Sequence, residues 1–112
     1  MKDNKVFLRH ILERIGRVEL YLRDADWENF QRDIKTVDAV VRNIEVIGEA
    51  ATDMSGEFRE QTKQIKWRKI IDTRNRIIHG YASVDLEIIW DISQNDLPVL
   101  KKQIEEILKD LT

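Results

Sequence analysis

One proline and four glycines are all that this chain of 112 residues offers to turn its backbone sharply. A β-fold needs frequent turns, and turns draw on Gly, Pro, Asn and Asp. Few breaks mean long helices, and the spacing of the apolar residues has the matching period. Phe7, Ile11, Ile15, Val18 and Leu22 form one stripe, widened by Leu8 and Leu12, with Asp3 or Asn4 placed to cap it. The segment DADWENF (24–30) reads as a turn and a short helix carrying Trp27 and Phe30. A second long helix follows, with Val37, Val40, Val41, Ile44, Ile47 and Ala51 on one side and Gly56 as a stop past its end. A third runs from about Lys66 to His79, and the region from Val84 to Leu111 is helical too. Pro98 lacks an amide hydrogen and clashes one turn back, so a break or kink near Asn95 is expected. Asp96 would then cap the last helix, whose stripe is Leu97, Leu100, Ile104, Ile107, Leu108 and Leu111. No repeat or linker divides the chain. The expectation is one all-α domain over residues 1–112, an up-and-down bundle of about four main helices.

Composition narrows the chemistry. There is no cysteine, so disulfides and thiolate metal sites are excluded, and two histidines, His10 and His79, are too few for a His-rich metal centre. No metal or cofactor is expected. No apolar run approaches the ~20 residues of a membrane span, and the N-terminus lacks the apolar core of a signal peptide. A cytoplasmic protein without a membrane partner is expected. The formal net charge of −2 argues against nucleic-acid binding by bulk charge. That charge is uneven: Arg59–Arg76 holds seven basic residues against two acidic ones, leaving a net of −7 elsewhere. A solvated helix face is the ordinary explanation of such a run.

The basic run leads into RNRIIHGY (74–81). Trp67, Ile70, Ile71, Ile77 and Ile78 lie on one helical face, and Arg74 falls in the middle of it. A guanidinium there cannot shed its charge and needs an anion. Asp38, Glu45 or Glu49 on the second long helix could supply one, which would make Arg74 a structural salt bridge. Arg42 belongs to the same group of candidate supports. The other possibility is a phosphate. Gly80 is a residue that commonly ends a helix, so His79 and Tyr81 could swing towards a crevice beside Arg74. Arg offers a planar fork to phosphate oxygens, and His is suited to proton transfer near neutral pH. Asn75 could orient His79 or donate to the phosphate, and Arg76 is a further phosphate-binding candidate. His10 has no such company and reads as a surface residue. Gly48 sits inside the second long helix, where Gly costs about 1 kcal/mol relative to Ala. With Ala51, Thr52 and Ser55 it makes a row of small residues, explained by ordinary close packing of helices.

Arg74, four residues, His79, one residue, Tyr81 resembles the R-x4-H-x-Y motif of the HepT-like toxins of the HEPN superfamily. The segments KTVDAVVRNIEVIGEA (35–50), WRKIIDTRNRIIHGY (67–81) and VDLEIIWDISQNDLPVLKKQI (84–104) resemble that family's segments in its order. Asp72 and Thr73 before the motif, and Ala82 after it, depart from the pattern without removing a motif residue. The resemblance implies a helical bundle that forms a homodimer with the two motifs in a shared cleft. It implies a metal-independent endoribonuclease with Arg74 and His79 as catalytic residues, the toxin of a type VII toxin–antitoxin system of the HepT/MntA kind. The implied antitoxin is a minimal nucleotidyltransferase that transfers AMP to the motif tyrosine, here Tyr81. Two other roles compete: a non-catalytic nucleotide-binding or regulatory partner of a nucleotidyltransferase, and a purely structural helical dimer.

Overall fold

Four long helices carry the architecture: α1 (Asn4–Tyr21), α3 (Ile34–Asp53), α5 (Trp67–Gly80) and α7 (Leu97–Leu111). Three short ones, α2 (Trp27–Arg32), α4 (Gly56–Gln61) and α6 (Leu86–Asp91), lie between them, and a π-helical turn (Ile92–Asp96) joins α6 to α7. The computed structural model describes residues 4–80 and 85–111, and among these there is no strand. The protein is an all-α bundle. No described helix is long and apolar enough to cross a membrane.

Helix α3 is the central element, packed against α1 on one side and α5 on the other, while α7 closes against α1. Its sequence suits that position. Val37, Val40, Val41, Ile44, Ile47, Ala50 and Ala51 are buried, and so are the small or polar Gly48 and Asn43. Asn43 is accommodated because its amide donates to Ala39 O at 2.8 Å and its carbonyl oxygen accepts from Arg14 Nη1 at 3.3 Å. At the far end of the core, Phe30 of α2 lies 5.1 Å from Trp90 of α6 between ring centres, with Trp27 against both.

Caps set the breaks more than glycines do. Asp33 accepts from the Thr36 amide at 3.2 Å and from the Thr36 hydroxyl at 2.6 Å, starting α3 with itself as the single residue between the two helices. Those bonds, the hydroxyl's first, hold the Asp33 carboxyl below its ordinary value of 3.8. A depressed carboxyl stabilises the fold where it is ionised. The contribution is complete above the unfolded-state value and is lost as pH falls through the lower folded one. Asp33→Ala is therefore expected to lower the melting temperature at neutral pH. The wild-type and variant melting temperatures should converge well below pH 3.8, as thermal scans across pH would show.

Gly56 does not stop α3, as the sequence suggested. The helix ends at Asp53 with Met54 extended, and Gly56 opens α4 behind the Ser55 cap. Asn4 exchanges hydrogen bonds with Ser55, tying the start of α1 to that corner. Asp3 lies outside the described residues.

Near Asn95 the regular α-helix is interrupted, as expected, but by a π-helical turn and not by a break. Helix α6 runs into α7 through the π-helical turn, where the Leu97 amide reaches back five residues to Ile92 O. The wider turn makes room for a ring that an α-helical carbonyl would obstruct. Asp96 is consequently helical and does not cap α7; its carboxylate pairs with Lys69 of α5 at 3.1 Å.

Candidate active site

The motif helix meets the bundle at one glycine. A β-carbon built on Gly48 of α3 would overlap the Cβ of Arg74, lie 2.7 Å from its Cγ and 3.3 Å from Ile70 O. The Arg74 stem thus lies directly on the α3 backbone. Around it, Trp67 and Ile77 are buried and Ile70 and Ile71 are half-buried, so the apolar stripe with a central arginine is present. Ile78 departs from the expected face: it is 45% exposed.

Arg74 is half-buried. Its Nη1 donates to Asn75 Oδ1 at 2.8 Å, and its Nε is buried with no hydrogen-bond partner among the described residues. Asn75 therefore acts on Arg74, and it makes no described bond to His79. Two of the carboxylates offered as partners on sequence grounds are used elsewhere. Glu45 and Glu49 face Arg42, at 3.2 and 3.7 Å, and make no ion pair with Arg74 among the described residues. Asp38 is exposed on the same helix. Glu45 and Glu49 bond within their own helix because Arg42 lies one turn from Glu45 and two turns from Glu49 on the same face.

Helix α5 continues through Gly80, and no described residue has a positive φ, so Gly80 is not a left-handed terminator placed after His79. His79 is in the last helical turn and exposed, as is Arg76. His10 is exposed on α1. Tyr81 and the residue after it, Ala82, lie outside the described residues.

The basic run is partly neutralised. Lys63 pairs with Glu60 at 3.1 Å and Lys69 with Asp96, while Lys66, Arg68 and Arg76 are exposed. Among the described residues no cluster of three or more His, Asp or Glu could hold a metal ion. Chemically, the arrangement offers a guanidinium whose stem is fixed, whose plane is set by Asn75 and whose charge makes no ion pair with a carboxylate among the described residues, with a solvent-accessible imidazole further along the same helix.

The sequence concealed two features. The row of small residues with Gly48 pointed to a close approach of another helix, but not to Arg74 as the residue that Gly48 meets. An apolar groove of about 240 Å³, lined by Ile47, Ile65, Ile70, Ile92 and Leu100 with Lys69 at its rim, depends on the π-helical turn, which has no simple sequence signal.

Comparison with known proteins agrees over nearly the whole chain. The Ribonuclease HepT-like family matches residues 11–107. The chain is 39% identical over 110 residues to "Gamma-glutamylcyclotransferase and putative RNase MJ0434" of Methanocaldococcus jannaschii, covering 98% of itself and half the length of that relative. It is equally similar, at 39%, to "Putative RNase MJ0127" of the same organism, covering 91% of that protein. It is 34% identical over 108 residues to "Probable ribonuclease HepT" of Thermococcus cleftensis, covering 96% of this chain and 98% of the relative. No solved structure matches the chain significantly. An all-α bundle with its arginine-bearing helix seated on α3, matched over 97 consecutive positions by one family and over nearly all its length by that family's relatives, belongs to the HepT-like ribonuclease family.

Proposed function

We propose that the protein is a metal-independent endoribonuclease, the toxin of a type VII toxin–antitoxin pair, acting in the cytoplasm as a homodimer. The observation that carries this reading is Arg74: half-buried, oriented by Asn75, and without a carboxylate partner among the described residues. Such a charge is suited to an anion brought from outside, and the family's relatives are named as ribonucleases. The exposed Ile78, next to His79, supplies apolar surface for a second protomer, which would bring a second motif to the cleft.

RNA carries its own nucleophile. His79 takes the proton of the 2′-OH, whose oxygen attacks the adjacent phosphorus. The bond to the 5′-oxygen breaks, and that oxygen takes up a proton, leaving a cyclic phosphate and a 5′-hydroxyl. Arg74 holds the phosphate oxygens and offsets the charge that grows on them. The exposed Lys66, Arg68 and Arg76 attract the RNA backbone without reading its bases. Tyr81 is the proposed acceptor of AMP from a minimal nucleotidyltransferase. An anionic phosphodiester there would compete for Arg74 and fill the cleft.

One experiment with two arms tests this. Protein expressed alone should cleave RNA in EDTA. Protein co-expressed with an active nucleotidyltransferase partner should gain the mass of AMP on the Tyr81 peptide and lose that cleavage. Cleavage that vanishes with EDTA and returns with magnesium would overturn the metal-independent mechanism. A protein that binds nucleotide but leaves RNA intact would favour the regulatory role.

A further inference from the structure

We infer that Gly48 is a positioning residue for Arg74: the missing side chain on α3 fixes how closely α5 approaches and therefore where the guanidinium is presented. The inference rests on the reading of Arg74 as the phosphate-holding group, and it goes beyond that reading by assigning part of the site to a helix that bears none of the motif.

The geometry is specific to one contact. A methyl group at position 48 would meet Arg74 Cβ and Cγ, and Ile70 O at 3.3 Å. The Arg74 Cβ is fixed to the α5 backbone, so no rotamer change relieves its overlap. Carbon atoms pack at about 3.5–4.0 Å, so the overlapping Arg74 Cβ has to retreat by more than ~1 Å, and the α5 backbone with it. By contrast, a β-carbon on Gly16 or Gly56 meets nothing within 4 Å. A glycine in the middle of a 20-residue helix weakens that helix. Here the compensation is a site in which Arg74 rests on bare backbone and its Nη1 reaches Asn75. Displacing a group by about 1 Å from its working position can lower a rate about 100-fold.

The test compares Gly48→Ala with Gly16→Ala in the full-length protein, by three measurements. In RNA cleavage, Gly48→Ala should lose about 100-fold, most of it in kcat, while Gly16→Ala stays at the wild-type rate. In NMR of arginine side chains, the Arg74 Nε–Hε resonance should move in Gly48→Ala and stay in place in Gly16→Ala. In thermal melting, Gly48→Ala combined with Arg74→Gly should lose less than the two single changes added together, because the second removes the atoms the first collides with. This last cycle decides the matter even if Gly48→Ala alone folds poorly. If wild-type protein does not cleave RNA, the ribonuclease reading falls, and the resonance and the melting cycle still judge the positioning claim. An unmoved Arg74 resonance, additive melting losses or a Gly48→Ala enzyme at wild-type kcat would each overturn it.

Discussion

His79→Ala is expected to lower RNA cleavage by about 10²–10⁴-fold, the range lost when a positioned general acid or base is removed. The side chain is exposed in the last turn of α5, with no described contact holding the core together. Its loss should leave the helical circular dichroism and the melting temperature near wild type. That combination, a collapsed rate on an unchanged fold, separates catalysis from packing. Cleavage retained within a few-fold would remove His79 from the reaction and leave Arg74 as a phosphate holder only. His10→Ala serves as the control, because His10 is exposed on α1 and has no arginine-bearing motif around it. Toxicity on expression should follow the cleavage measurement in both variants.

What could be read beforehand, and what could not, follows from the range of the forces involved. Helix existence depends on apolar period. The stripes of α1, α3, α5 and α7 were legible because burial repeats along the chain every three or four residues. Helix ends depend on single hydrogen bonds. Gly56 looked like a stop, but Ser55 accepts from the Phe58 amide at 3.1 Å and turns the same glycine into a start. Pro98 signals a break or a kink, and one amide reaching back five residues makes the interruption a π-helical turn and not a break. The motif itself was legible because its residues are close in sequence. The partners of Arg74 were not, since they depend on where α3 lies against α5. Glu45 and Glu49 had the right charge and the right helix, but Arg42 reaches them first. Gly48 had the right helix and no charge at all, and it is the residue Arg74 rests on.

Arg74 permits the sharpest separation of the structural from the catalytic role, because the two predict opposite signs. Were Arg74 a structural ion pair, removing its charge would strand a carboxylate and destabilise the fold by about 3–5 kcal/mol. In the structure its Nε is buried and unbonded, and Glu45 and Glu49 are satisfied by Arg42. Arg74→Met keeps an apolar stem of similar length against Gly48 and removes the buried polar atom. A buried polar group without a partner costs about 1–3 kcal/mol, so the variant should melt at or above the wild-type temperature. Cleavage should nevertheless fall by about 10²–10³-fold, the loss that follows removal of a donor to a developing charge. Arg74→Lys sharpens the point. It restores a positive charge but not the planar fork, and it cannot reproduce the Nη1 bond that Asn75 uses to set the plane. Most of the lost rate should stay lost. A lysine variant at wild-type rate would mean that charge alone suffices at this position. A methionine variant that unfolds would return Arg74 to the structural role. A stable, inactive methionine variant beside a weak lysine one is the pattern of a side chain retained for its chemistry against the interest of the fold.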